Sequence, residues 1–242
     1  MKIKTDVLIS SLTTMRIGGP AKFVIEIEKL EDILPSIEFA ESKNLPIFIL
    51  GGGANTIGYD EGYNGVILLN RIKGIEFNGD NVRAMGGEVW DELVAVACEK
   101  GLTGIEALSR IPGTVGAAPV QNIGAYGQEV ADTLASVEVF DLKKKVFTIL
   151  NKKSLGFAYR KSILNTAEQG RYFVVAINLQ LKKGMMKRPF YKSIEQYIEA
   201  NKVTDFSPMS IRQIVSKIRA DKLPDPKMIA SSGSFFKNIY LD

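Results

Sequence analysis

The pattern of apolar and polar positions divides the chain into strands and helices that are joined by glycine-rich loops. Residues 23–27 alternate as in a β-strand, and residues 30–43 repeat apolar side chains with a helical period. The apolar stretch at residues 46–50 predicts a second strand, so this part of the chain forms a β-α-β unit. The unit leads directly into a glycine-rich loop at residues 51–56.

The rest of the chain predicts more strands than helices. Strands are predicted at residues 66–69, 75–77, 82–85, 136–141, 146–150 and 172–182. One helix covers residues 90–97 and stops at Gly101, which suits a C-terminal cap. A second helix starts with a capping box at Ser210 and ends by Leu223, because Pro224 follows. Helices that interrupt the strands without regular alternation predict an α+β fold.

Residues 111–127 form the most unusual stretch of the chain. The stretch is rich in glycine, is broken by proline, and contains no ionisable group except Tyr126. It cannot continue a helix or lie in the middle of a sheet, and it therefore predicts a long ordered loop. Exposed amides in such a loop can wrap an anion or a flat ring, although a buried connection is the alternative. Gln121 and Asn122 beside Tyr126 favour binding.

The loop at residues 51–55 suggests a dinucleotide-binding turn, but its spacing differs from the Rossmann fingerprint. The residues that follow it, 56–65, do not predict a helix. A phosphate here would be held by loop amides and not by a helix dipole, and a simple tight turn is the competing interpretation. Residues 14–21 form a third glycine-proline turn beside Arg16.

Composition limits the possible chemistry. The chain has 242 residues, 45% of them hydrophobic and 24% charged, which is typical of a globular protein. It has no histidine and one cysteine, so Ser-His and Cys-His pairs, imidazole or thiolate metal sites and internal disulfides are excluded, and no metal is predicted. We interpret Cys98 as a core residue. The chemistry must use carboxylate, Arg, Lys, Tyr, Ser or a cofactor.

Charge and hydropathy indicate a cytoplasmic protein with a small anionic ligand. The net charge of +4 suits an anion but is too diffuse to indicate nucleic acid. No apolar run approaches the roughly 18 residues that cross a bilayer, and the N-terminus lacks a signal-peptide pattern. We expect a monomer without a membrane partner.

Four ordered motifs give the chain a specific resemblance. They lie at residues 111–127, 159–162, 222–227 and 233–238. With these motifs the chain resembles the UDP-N-acetylenolpyruvoylglucosamine reductases of peptidoglycan synthesis, also called UDP-N-acetylmuramate dehydrogenases. The resemblance implies the two-subdomain FAD-binding fold of the vanillyl-alcohol-oxidase class. It implies FAD-binding subdomains at residues 1–65 and 66–222, the second with a helical extension, and the start of a mostly missing substrate domain at residues 223–242.

The resemblance also implies the cofactors and the residues that hold them. FAD would be non-covalent, because no histidine is available for attachment, and NADPH would supply the hydride. The cofactor-binding residues implied by the two loops are Gly51, Gly52, Gly53, Ala54, Asn55, Thr56, Pro112, Gly113, Gly116, Ala117, Ala118, Gln121, Asn122, Ile123, Gly124, Ala125, Tyr126 and Gly127.

Two residues match the catalytic residues of the family. Hydride reaches the β carbon of the enolpyruvyl ether, and Arg160 would stabilise the negative charge that develops on the substrate carboxylate. Ser234 would then protonate the α carbon. A surface salt bridge is the alternative for Arg160.

Tyr191, Lys222 and Asn238 match residues that hold the nucleotide-sugar substrate. Tyr191 could instead pack at an interface, and Lys222 could complement a helix dipole.

The family continues beyond the last of these motifs, and a glutamate near its end completes the catalytic group. No residue of this sequence corresponds to that glutamate, and Ile239 stands where proline is usual. We therefore expect either that the sequence is truncated or that the protein is a natural remnant of the family that binds flavin and turns over poorly. The competing functions are a flavin- or nucleotide-sugar-binding module without turnover and a flavin oxidase of the same fold.

Overall fold

Two main β-sheets, two short two-stranded sheets and the helices packed around them form the described part of the protein. The computed structural model describes residues 1–226 and 228–233. The α-helices are Ile33–Ser42 (α1), Trp90–Glu99 (α2), Val130–Thr133 (α3), Lys192–Asn201 (α4) and Pro208–Lys222 (α5). The strands are Lys2–Leu8 (β1), Pro20–Ile27 (β2), Ile47–Leu50 (β3), Tyr63–Asn70 (β4), Ile75–Asn78 (β5), Asn81–Met85 (β6), Leu102–Thr103 (β7), Gly124–Ala125 (β8), Gln128–Glu129 (β9), Leu134–Asp141 (β10), Val146–Asn151 (β11), Tyr172–Gln180 (β12) and Lys182–Lys183 (β13).

The first sheet has the strand order β1-β2-β4-β3. Strands β2 and β3 both run parallel to β4, which lies between them, so the predicted β-α-β unit is confirmed. Pro35 lies in the first turn of α1, where a missing N–H costs no helical hydrogen bond. The sequence analysis missed β1, because an edge strand that is exposed along most of its length has no apolar alternation. Its pairing with β2 is antiparallel.

The second sheet has the order β11-β10-β12-β6-β5 and is antiparallel throughout. Both predicted hairpins are confirmed, β5–β6 and β10–β11. The predicted boundary after residue 65 falls inside β4, and the pairing of β4 extends the first sheet to Asn70.

One apolar core joins the two sheets, and a second lies beneath α2. Ile25 of the first sheet packs with Phe140 and Phe173 of the second and with α1. On the opposite face of the second sheet, α2 buries Trp90 and Cys98. Cys98 is a core residue as predicted, and burial raises the pKa of its thiol to about 12. The mixture of packed sheets and helices confirms the α+β fold.

The C-terminal helices differ from the sequence-based expectation. The capping box predicted at Ser210 is wrong, because the N-cap is Ser207, whose hydroxyl accepts a hydrogen bond from Ser210 N. Pro208 occupies the first helical position, which proline favours. Helix α4 was missed, although Ile194 and Ile198 have helical spacing and are buried. Within the described residues, no helix has the length and apolar character needed to cross a membrane.

An ion pair at the end of β10 generates a testable prediction about stability. Asp141 is 2% exposed and accepts hydrogen bonds from Arg171 Nη2 at 2.6 Å and from Lys143 N at 3.0 Å. The Arg171 hydrogen bonds lower the pKa of Asp141 to about 2 and outweigh the opposing effect of burial. The ionised carboxylate therefore stabilises the folded protein above its ordinary pKa, and this stabilisation is lost as the pH falls toward 2.

We expect Asp141→Asn to lower the free energy of unfolding by about 3 kcal/mol at neutral pH, because Arg171 loses its anion. The difference between wild type and variant should shrink as the pH falls from about 4 to about 2. Urea unfolding at a series of pH values measures it. Glu76→Gln is the control, because this carboxylate meets Arg83 at 3.5 Å while 74% exposed, and its loss should cost under about 1 kcal/mol. A difference that does not vary with pH would contradict the assignment.

Candidate functional site

The two glycine-rich loops predicted to bind a cofactor lie against each other. A Cβ atom added to Gly52 would come within 2.9 Å of Gly113 Cα, so the two backbones meet without side chains between them. Asn55 Nδ2 donates to Gln121 Oε1 at 3.0 Å and joins the same two loops. Gly53 has a φ of 63°, and its added Cβ would lie 2.1 Å from Leu12 O. The structure therefore brings the predicted loops into one cradle.

Two buried hydroxyl groups in this cradle have no partner. Among the residues that the structure describes, Thr13 Oγ1 and Thr114 Oγ1 are buried without a hydrogen bond. A Cβ atom added to Gly51 would lie 2.5 Å from the Thr114 hydroxyl oxygen. An unsatisfied buried hydroxyl costs free energy unless a ligand completes it. Exposed backbone and unpaired hydroxyls together fit the phosphates of a dinucleotide cofactor.

Only part of the long loop offers side chains to a ligand. The loop is irregular as predicted, except for a 3-10 helix at Val115–Ala117 and the short strand β8. The side chains of Ala118 and Ile123 belong to the core beneath α2. These residues can contact a cofactor only through their main chain.

Arg160 reaches this loop from the tip of a tight turn. Its φ is 53°, and its guanidinium donates to Gly124 O at 2.6 Å and to Asn122 O at 3.3 Å. Both acceptors are neutral carbonyls, and none of the ion pairs within the described residues includes Arg160. The surface salt bridge considered as the alternative is therefore not formed in that part of the chain. The half-buried guanidinium keeps its charge available for an anion.

The side chain of Asn122 is fully used inside the protein. It is 0% exposed, and its Nδ2 donates to Glu129 Oε2 at 2.7 Å and to Ala158 O at 3.2 Å. Its Oδ1 accepts from Ala131 N at 3.1 Å. Asn122 stays a predicted residue of the cofactor loop, but its amide has no hydrogen left to donate to a ligand.

The helical extension closes on the end of the same loop. The Tyr126 ring packs edge-on against Tyr191 with 5.7 Å between centroids, which places a predicted substrate residue beside the cradle. The Arg219 guanidinium lies near the Tyr126 hydroxyl, and burial lowers the pKa of Arg219. Arg212 Nη2 meets Asp91 Oδ2 at 3.0 Å and anchors α5 to α2. The sequence analysis missed Arg219, whose only signal is its position on the inner face of α5.

The remaining predicted residues lie at or beyond the end of α5. Lys222 is exposed and is the last residue of that helix. Ser234 and Asn238 lie outside the described residues. Residues before them contact the connection between β1 and β2. There, Thr14 Oγ1 donates to Ser231 O at 2.5 Å and Arg16 donates to Pro226 O at 2.8 Å. Because Thr14 N bonds to Gly53 O at 3.1 Å, this segment ends beside the cradle.

Comparison with known proteins shows that the cradle lies in a part of the chain that matches an FAD-binding family. Residues 21–149 match the family described as FAD binding domain. The UDP-N-acetylenolpyruvoylglucosamine reductase of Bdellovibrio bacteriovorus is 36% identical over 98% of this chain and 72% of the relative. The chain belongs to the UDP-N-acetylenolpyruvoylglucosamine reductase family. The Buchnera aphidicola reductase (subspecies Acyrthosiphon pisum) is 36% identical over 95% of this chain, which spans 64% of that relative's length.

Solved structures agree with the family and with the predicted fold. The family's structure from Thermus caldophilus has a TM-score of 0.73, is 28% identical, and matches 99% of this chain and 76% of its own. The 6-hydroxy-D-nicotine oxidase of Arthrobacter nicotinovorans has a TM-score of 0.51 at 20% identity and covers 67% of this chain and 36% of its own. This second likeness shows the fold alone. The predicted FAD-binding fold is confirmed.

Thr114→Val tests whether the unpartnered hydroxyl belongs to the cofactor site. The variant keeps the shape of the side chain but removes the hydroxyl, so we expect FAD affinity to fall about tenfold. The stability of the apoprotein should be unchanged or higher, because an unsatisfied polar group is removed. Flavin fluorescence titration and thermal unfolding of the apoprotein measure the two effects.

Thr133→Val is the matched control, since Thr133 Oγ1 is also buried without a partner among the described residues but lies on α3, outside both loops. Its FAD affinity should equal that of wild type. An equal loss of affinity in both variants would show that Thr114 has no special role.

Proposed function

We propose that this protein is an FAD-dependent reductase that converts UDP-N-acetylenolpyruvoylglucosamine to UDP-N-acetylmuramate with NADPH as the reductant. Family membership supports the substrate, and the cradle supports the cofactor. The observation that carries the proposal is Arg160, a cation held by two carbonyls of the loop that also forms the cradle. We extend the proposal to a monomer that acts in the cytoplasm on a nucleotide sugar, as a step of peptidoglycan synthesis.

FAD would lie in the cradle between the two loops. When bound, it supplies the transfer of hydride from NADPH to the enolpyruvyl group. The backbone of residues 51–56 and 113–118 would hold it, with the Thr114 hydroxyl as a further donor. Because the two loops pack without intervening side chains, their amides can approach the pyrophosphate closely.

Arg160 would stabilise the charge that the substrate gains. Addition of hydride to the β carbon pushes electrons into the substrate carboxylate and produces an enediolate with an additional negative charge. A guanidinium that is already oriented by Gly124 O and Asn122 O needs no reorganisation to meet this charge. The interaction is stronger in the transition state than in the ground state, which is the condition for catalysis.

The remaining roles follow from the family motifs. Ser234 would give its proton to the α carbon, since an enediolate is basic enough to accept a proton from a hydroxyl. The contact between Thr14 and Ser231 supports this role, because it holds the segment just before Ser234 beside the cradle. Tyr191, Lys222 and Asn238 would bind the diphosphate and sugar, and the packing of Tyr191 on Tyr126 supports a position near the loop.

Arg160→Ala tests the proposed function by separating the two half-reactions. We expect reduction of the bound flavin by NADPH to stay within about threefold of wild type, while reoxidation by the enolpyruvyl substrate slows by about 100-fold or more. Stopped-flow absorbance of the flavin follows both steps in the full-length protein.

Lys161→Ala is the control, since Lys161 is an exposed cation in the same turn. It should leave both steps near wild type. If the wild-type flavin is reduced but the enolpyruvyl substrate never reoxidises it, the proposed function is wrong, and a flavin-binding module without turnover becomes the better interpretation.

A further inference from the structure

The carbonyl groups that hold Arg160 are themselves fixed by one buried amide. Asn122 has a φ of 46° and lies at the junction of three segments. Its side chain binds Glu129 at the start of α3, Ala131 inside α3, and Ala158 at the base of the turn that carries Arg160. Every hydrogen of the amide is engaged, so the orientation of this residue is fully determined.

Asn122 contacts the arginine turn at two places. Its Nδ2 donates to Ala158 O at 3.2 Å, and its own carbonyl accepts from Arg160 Nη1 at 3.3 Å. Ala158 and Lys161 close the turn through two hydrogen bonds of 3.0 Å between their main chains. One residue therefore holds both the base of the turn and the guanidinium at its tip.

Glu129 orients this amide. Its Oε2 accepts from Asn122 Nδ2 at 2.7 Å, and its main-chain N–H donates to Asp132 Oδ2 at 2.7 Å in the capping box of α3. A carboxylate acceptor makes the amide hydrogen bond shorter and stronger than a neutral one would. The carboxylate also accepts from the Asp132 main-chain N–H in that capping box, and none of the ion pairs within the described residues includes Glu129.

We propose that Asn122, oriented by Glu129, is a positioning residue that fixes the guanidinium of Arg160 against the substrate carboxylate. This inference rests on the proposed function for the role of Arg160 but not for the contacts. A long arginine side chain has many rotamers, and two carbonyl acceptors select one of them only if those carbonyls do not move. A misplacement of about 1 Å at a reacting centre can cost about 100-fold in rate.

Asn122→Asp is the variant that tests the positioning. It keeps the size of the side chain but loses both donors and places a carboxylate against Glu129. We expect reoxidation of the reduced flavin by the enolpyruvyl substrate to slow by about 30-fold, with reduction by NADPH within about threefold of wild type.

A double-mutant cycle distinguishes positioning through Arg160 from any other role. If Asn122 acts only through Arg160, Asn122→Asp should slow reoxidation by less than about twofold when Arg160→Ala is already present. Asn122→Asp combined with Glu129→Gln should recover part of the lost rate, because the glutamine amide can donate to the new carboxylate. Multiplicative effects of Asn122→Asp and Arg160→Ala would overturn the inference.

Asn178→Asp is the matched control, because Asn178 Nδ2 donates to Glu138 Oε1 at 3.1 Å on the second sheet. It creates the same meeting of two carboxylates on the second sheet, in a hydrogen-bonded group with Ser136 and Arg83 that does not include Arg160. Hydrogen exchange provides a readout that needs no catalysis: residues 158–161 should lose protection in Asn122→Asp and keep it in Asn178→Asp. Unchanged protection in Asn122→Asp overturns the positioning, whereas a wild-type flavin that the substrate never reoxidises refutes the proposed function alone.

Discussion

The contact between Gly52 and Gly113 is the constraint on which the site depends. The first loop follows β3, and the second loop, residues 111–127, lies between α2 and β10. A Cβ atom added to Gly52 would approach Gly113 Cα to 2.9 Å. At this point the two loops can therefore approach each other only because neither glycine carries a side chain. The same packing leaves the Thr13 and Thr114 hydroxyl groups buried without a hydrogen bond among the residues that the structure describes. The cofactor site that we propose at these loops depends on this packing.

One half of the cradle and the carbonyls that hold the cation are parts of one continuous segment. The loop that packs on Gly52 at Gly113 continues to Asn122 and Gly124, whose carbonyls hold Arg160. The side chains of Ala118 and Ile123, between these two parts, are buried in the core beneath α2. Because closely packed cores transmit displacement, this core couples the position of the cradle to that of the guanidinium.

The sequence predicts the elements of this fold better than their meeting points. Apolar periodicity was sufficient for β2, α1, β3 and both hairpins, since each depends on local alternation or turn chemistry. It missed β1, which is held by main-chain pairing and not by apolar burial. The closeness of Gly52 to Gly113, and of Asn122 to Ala158, depends on segments far apart in the chain, so no local pattern contains it. The glycines identify the two loops in the sequence. Only the structure shows that the Asn122 side chain links the second loop to the turn that carries Arg160.

The electrostatic setting of Arg160 differs from that of Arg171 and Arg212. Arg171 faces Asp141 and Arg212 faces Asp91, so each charge is largely neutralised where it stands. Arg160 instead donates to two carbonyl oxygens and lies over the Tyr159 ring, with 5.3 Å from its central carbon to the ring centroid. Neutral acceptors orient a guanidinium without cancelling its charge. A carboxylate at the same place would hold the side chain equally well, but it would compete with any anionic ligand. The choice of carbonyl acceptors is therefore what allows one residue to be both rigid and available to an anion.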